Sequence, residues 1–129
     1  MLIDEKLLNV VTSKAKVSER LRMNFNLHDS LDAKAQRLLN ALEPGTVLPI
    51  HRHWETAETY IVLRGSIRVL FYNDRKELTN MFDLDPKKKT YGIHIPKGQW
   101  HTLEVLESDT VIFEVKDGPY MPLMEEDKL

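Results

Sequence analysis

The chain has 129 residues, 18 lysines and arginines against 20 acidic residues, and no cysteine. That length suits a single domain with a real core. A net charge of −2 gives no bulk attraction to nucleic acid or to a membrane surface. The missing cysteines exclude disulfides and thiolate ligands and fit a reducing, cytoplasmic setting. The start Met-Leu-Ile-Asp-Glu-Lys has no cationic stretch followed by an apolar run, so no secretory leader is expected. No segment approaches the roughly 20 apolar residues of a membrane span.

One helix is expected, from Asp4 as N-cap to about Lys14, with Leu7, Leu8 and Val11 on one face. From Glu19 the period changes to two. Leu21, Met23, Phe25 and Leu27 alternate with Arg20, Arg22, Asn24, Asn26 and His28, which is a strand pattern. Gln36–Leu42 reads as a second strand, ended by Glu43-Pro-Gly45. Tyr60–Leu63 and Ser66–Tyr72 flank Gly65, and Asn73-Asp74 marks a hairpin turn before Glu77–Leu84. Asp85–Lys89 is a polar loop, and Tyr91–Ile95, His101–Leu106 and Thr110–Lys116 are three further strands. Short strands at roughly ten-residue spacing indicate a sandwich or barrel. The expectation is an all-β single domain over 1–129: a helical lead-in (1–18), a barrel (19–116) and a tail (117–129).

The chemistry concentrates in Gly45-x5-His51-x-His53-x4-Glu58-x6-Gly65, joined later by Pro96-x-Gly98-x-x-His101. Two imidazoles and a carboxylate within eight residues, with a third imidazole downstream, make a ligand set for a divalent first-row metal. On a strand, His51 and His53 share a face. Glu58 is expected to ligate rather than Glu55, which breaks the spacing after His53. Four ligands from two separated hairpins converge only if the sheet closes on itself, as in a small barrel.

These spacings resemble the two motifs of the cupins, a superfamily of double-stranded β-helix (jelly-roll) barrels. The first motif matches residue for residue in its variant with four residues between His and Glu. The second keeps Pro96, Gly98 and His101, but its opening glycine falls at Gly92 and its late asparagine is Val105. Arg-x-Arg-x-Asn-x-Asn-Leu-His at 20–28, Gln36-Arg37, Leu39-Asn-Ala-Leu-Glu-Pro-Gly45, His51-Arg-His53, Ile95-Pro-x-Gly-x-Trp-His101 and Glu114-Val-Lys-x-Gly-Pro-Tyr120 are similar to the WbuC family of cupin-fold metalloproteins. The similarity runs from about residue 2 to Tyr120, with a departure at His94, where the family would have glutamate. The resemblance implies a small metal-binding cupin associated with bacterial surface polysaccharides.

Three imidazoles and a carboxylate would leave a divalent ion (Fe, Mn, Ni, Zn or Co) with two open positions if octahedral. Such a site can polarise a carbonyl or hydroxyl oxygen, acidify water or, as iron, bind dioxygen. The leading expectation is an isomerase or epimerase acting on a small anionic sugar or sugar nucleotide, a substrate class implied by the resemblance alone, with Tyr60 as candidate proton donor. A dioxygenase of small organic acids and a non-catalytic metal- or carbohydrate-binding module are the alternatives. The polar row of the first strand, Arg20, Arg22 and Asn24, is expected to face the lumen and bind the substrate's anionic group with Arg37, since guanidinium forks match carboxylate and phosphate. That inversion leaves Leu21, Met23, Phe25 and Leu27 to be covered, and a homodimer is the expected cover.

Overall fold

The computed structural model describes residues 1–128. Helix α1 (Glu5–Val17) is followed by β1 (Arg22–Asn26), β2 (Ala35–Leu42), β3 (Glu58–Arg64), β4 (Ile67–Tyr72), β5 (Leu78–Leu84), β6 (Gly92–Ile95), β7 (Trp100–Val105) and β8 (Thr110–Asp117). One antiparallel sheet has the order β1-β2-β8-β3-β6 and the other β5-β4-β7. The architecture is the all-β barrel with a short N-terminal helix that the patterning implies.

Parity sorts the larger sheet into two faces, because directly paired residues of antiparallel strands project to the same side. The inner row contains Leu42, Tyr60, Val62, Ile95 and Ile112, which meet Ile67, Val69 and Leu103 of the smaller sheet in the main core. The outer row contains Leu39, Ala41 and Val111, which pack with Leu8, Val11 and Ala15 of α1. Burying an aliphatic side chain of that size stabilises the fold by roughly 1.5–3 kcal/mol, so α1 is an integral layer.

Several local signals act as their chemistry dictates. Asp4 caps α1, its side chain accepting from the Leu7 N–H at 3.0 Å. The helix runs one turn past Lys14, since Ala15 is fully buried and extends the apolar face. Arg64 fixes α1 from the barrel side, donating to Asn9 Oδ1 (2.8 Å), Thr12 Oγ1 (3.0 Å) and the Asp109 carbonyl (2.8 Å), and pairing with Glu5. Gly65 turns β3 into β4 at φ +84°; a Cβ there would lie 2.1 Å from Thr110 Oγ1, so the turn requires glycine. Asn73 closes the β4–β5 hairpin by accepting from the Arg75 and Glu77 N–H groups.

The first strand needs correcting at its start. The chain enters it through a turn in which the Leu21 N–H reaches the Ser18 carbonyl and Leu21 adopts φ +58°. The regular strand therefore begins at Arg22, and Arg20 lies exposed in the turn, where strand alternation does not orient it. From Arg22 onward the inverted polarity holds. Arg22 pairs with Leu42 and Asn24 with Asn40, both on the inner row, while Met23 and Phe25 pair with Ala41 and Leu39 beneath α1. The helix supplies the cover that a partner chain was expected to give. Arg37 pairs with Val115 and shares the face of Leu39 and Ala41. It is exposed there and does not line the barrel interior.

Candidate metal centre

His51 and His53 do not sit on a regular strand. Residues 46–57 form an irregular crossing from β2 to β3 of the larger sheet, pinned at His51 by a bridge to β7 of the smaller one. The His51 N–H donates to the His101 carbonyl at 3.0 Å, and the His101 N–H donates back to the His51 carbonyl at 2.8 Å. The His53 carbonyl accepts from the Gly98 N–H at 2.8 Å, in the Pro96–Gly98 turn that leads into β7. Gly98 takes φ +81° in that turn, a conformation open to glycine without strain. The spacing of the second motif thus has a mechanical reason: the turn grips the first motif and starts the strand that carries His101.

Glu58, the first residue of β3, supplies the carboxylate from the opposite sheet. Ligand atoms of His51, His53, Glu58 and His101 all lie within 4.8 Å of one another. His53 Nε2 is 2.8 Å and His101 Nε2 3.3 Å from Glu58 Oε1. The His51 and His101 ring centroids are 4.3 Å apart. Glu58, His51 and His101 are buried, whereas Glu55 is exposed on the crossing.

The arrangement fits a cation. His51 Nδ1 lies 2.8 Å from the Pro49 carbonyl and His101 Nδ1 2.8 Å from the Gln99 carbonyl. A carbonyl only accepts, so each Nδ1 carries a proton, and a ring with no second proton presents a bare Nε2 to the centre. His101 Nε2 and Glu58 Oε1 are both buried and lack a hydrogen-bond partner among the described residues. Two acceptors this close repel unless a ring proton or a bound cation stands between them. Burial, with a smaller contribution from His101, lowers the His51 pKa to about 4, so this imidazole is neutral and able to ligate at neutral pH. Burial by itself would raise the Glu58 pKa. The flanking His101 and His53 outweigh it and hold the group well below the usual carboxylate range.

The inner row continues beyond Glu58. Tyr60 is buried, and its hydroxyl is pushed well above its ordinary pKa by burial and by the charges of Glu58 and Glu114. Glu114, beside Tyr60 across β3–β8, accepts from Asn40 Nδ2 at 2.8 Å. Burial and the Glu58 charge raise its pKa to about 7, against the opposing hydrogen bond from Asn40. The sequence expectations placed neither Glu114 nor Asn40 in the site. The signal was the alternation Thr110, Ile112, Glu114, Lys116, which puts Glu114 on the row of the core residue Ile112. Arg22 points into this region half-buried, and Asn24 has the same parity but is exposed. His94 lies exposed, its Nδ1 3.1 Å from Thr59 Oγ1 and outside the four-residue cluster.

The C-terminal tail closes over the crossing. The Arg52 N–H donates to the Asp127 carbonyl at 3.0 Å, and Arg52 Nε to Asp127 Oδ1 at 3.3 Å. The Arg52 guanidinium is sandwiched 4.2 Å from the Trp54 ring and 4.4 Å from Trp100. Between crossing and tail lies a cavity of about 250 Å³ that His53, Trp54, Lys116 and Met124 help to line.

A family model described as "Domain of unknown function (DUF6016)" matches residues 3–84. The chain belongs to this family. The matched DUF6016 segment carries α1, Arg22, Asn40 and three of the four clustered residues, while His101 and Glu114 lie beyond it. No curated protein matches the sequence. Among solved structures, the DUF6016 chain is similar to the capsular polysaccharide assembling protein CapF of Staphylococcus aureus. The TM-score is 0.68 at 20% identity, over 82% of this chain and 28% of that one. KdgF from Halomonas sp. gives 0.62 at 16% identity, over 81% and 85% of the two chains. The cupin domain of Schizosaccharomyces pombe Cnp3 gives 0.60 at 11% identity, over 77% and 66%. The chain thus spans little more than a quarter of CapF. These likenesses establish the cupin fold.

Proposed function

We propose that the protein is a metal-binding cupin in which His51, His53, Glu58 and His101 hold one divalent transition metal: Fe, Mn, Ni, Zn or Co. On this reading it acts on a small anionic sugar or sugar nucleotide of bacterial surface-polysaccharide metabolism, by isomerisation or epimerisation. The observation that carries the metal is the buried, unpartnered pair Glu58 Oε1 and His101 Nε2, with Nε2 of His53 turned to the same point. The sugar class rests on the WbuC resemblance and on the likeness to CapF, a capsular polysaccharide assembling protein.

A metal held there would supply Lewis acidity toward a substrate oxygen. The protein's own groups do the rest. Glu58 stays ionised and fixes His53 and His101 around it. Tyr60 stays protonated, because burial and the neighbouring carboxylates oppose its ionisation, so it is a hydrogen-bond donor beside Glu58. Arg22, followed by Asn24, offers charge to an anionic group. The proposed setting is the cytoplasm. The proposed assembly is a homodimer.

Elemental analysis of protein purified without added metal, then a sugar-nucleotide screen with each of the five ions, tests this reading. One ion per chain and turnover with at least one substrate is the expected result. A chain that takes up none of the five ions overturns the metal assignment. Ligand binding without turnover under every ion reduces the protein to a binding module.

A further inference from the structure

The inner row has unmet hydrogen-bonding capacity away from the metal centre. Asn40 is 8% exposed, and its amide nitrogen donates to Glu114 Oε1 at 2.8 Å. The amide oxygen therefore points the other way, and Asn40 Oδ1 is buried without a partner among the described residues. Arg22 Nη1 is likewise buried and without a partner. Arg22 feels the Glu114 charge, and Asn24, which pairs with Asn40, follows Arg22 on the same face of β1. A buried polar atom without a partner destabilises the fold, and two such atoms of opposite polarity on one row are stabilised together by a single suitable ligand.

We propose that Arg22, Asn40 and Glu114 form a recognition row for a polyhydroxylated anion, a sugar acid or a sugar phosphate. The acidic group accepts from Arg22 Nη1, and adjacent hydroxyls donate to Asn40 Oδ1 and to the Glu114 carboxyl. Asn40 Oδ1 can only accept, so an anion without a hydroxyl leaves it unsatisfied. A neutral sugar can accept from Arg22 Nη1 through a hydroxyl oxygen but leaves its charge uncompensated. This inference deepens the sugar-anion reading above and rests on it, but it makes its own demand: both features in one molecule, read by residues that are not metal ligands.

Calorimetric titration with D-gluconate, D-glucose 6-phosphate, succinate and D-glucose tests it on the metal-loaded chain. At least one of the first two should bind tenfold or more tightly than both succinate and glucose. Which of them wins separates a carboxylate source from a phosphate source. Arg22→Gln should lower the winning affinity at least tenfold with metal content unchanged, and Arg22→Lys should fall between, since it keeps the charge and loses the fork. In uniformly ¹⁵N-labelled wild type the Arg22 Nε–Hε signal should shift with the winning anion and stay put with glucose, a readout that needs no folded variant. Succinate binding as tightly as gluconate and glucose 6-phosphate, an Arg22 signal that does not respond, or no binding of either hydroxylated anion at millimolar concentration overturns the proposal. All three outcomes are compatible with one bound metal per chain. A chain that takes up no metal but still selects hydroxylated anions through Arg22 defeats the metal reading and leaves the recognition row standing.

Discussion

Replacing Glu58 should separate the metal centre from the rest of the barrel. Glu58 is 3% exposed, opens β3, and is the one carboxylate among the four converging side chains. Structural sites for divalent zinc are worth roughly 10–16 kcal/mol over about four ligands, so one ligand accounts for about 2.5–4 kcal/mol, or on the order of a hundredfold to a thousandfold in Kd. Glu58→Gln keeps the volume and removes the charge, which limits damage to packing. The assay is competition for metal against a chelator of known affinity, on protein whose fold is checked by circular dichroism. Glu58→Gln should lose at least a hundredfold in affinity, while Glu55→Ala, at an exposed position three residues earlier, should stay within threefold of the wild type. Equal losses in the two variants, or full retention by Glu58→Gln, would refute the assignment of Glu58 and the argument from its burial.

Other outcomes follow from the same geometry. His51 has a folded pKa of about 4 against an ordinary 6.5, so metal-free protein should lose about 3 kcal/mol through this residue as pH falls from 6.5 to 4, where the unfolded chain binds the extra proton. Glu114, raised from 4.5 to about 7, acts in the opposite direction: the folded state binds more protons there, and its contribution declines as pH rises across that window. Urea unfolding of the metal-free wild type should therefore be nearly flat between pH 4.5 and 6.5, and Glu114→Gln should unmask a loss on acidification; a variant as flat as the wild type contradicts the two shifts. Metal retention should weaken below about pH 6, because imidazole must be neutral to ligate, and full retention at pH 4.5 against chelator would exclude a three-histidine site. Leu8→Ala, beneath α1 and 6% exposed, should cost about 2–5 kcal/mol in thermal or urea unfolding without changing metal stoichiometry.

The strands and the first motif were legible because each is local: two-residue alternation, turn residues and fixed spacings. So was the unusual inward polarity of β1, since Met23 and Phe25 needed an apolar neighbour as much as Arg22 needed a polar one. What covered them was not legible. That depends on α1 folding back across β1, β2 and β8, held by Arg64 and by the Lys16–Asp109 ion pair at 2.6 Å, a long-range choice with no local signature. Arg37 was misplaced for a related reason. Proximity in sequence to Gln36, which is on the inner row, says nothing of its face until the register of β2 with β8 is known. His51 and His53 converge without the strand assumed for them, because a single bridge to His101 and the grip of Gly98 do the work of a ladder.

That bridge divides the centre into a stiff half and a compliant half. His51 and His101 are locked to each other through two backbone hydrogen bonds, so the separation of their backbones is set by sheet geometry. His53 stands two residues along the crossing, its backbone anchored by one hydrogen bond from Gly98, and is less constrained than His51 and His101. Arg52 and Trp54 flank it and help to wall the cavity beneath the tail. A shift of His53 would therefore reshape the cavity beneath the tail, because the same side chain belongs to the cluster of four and to the cavity wall.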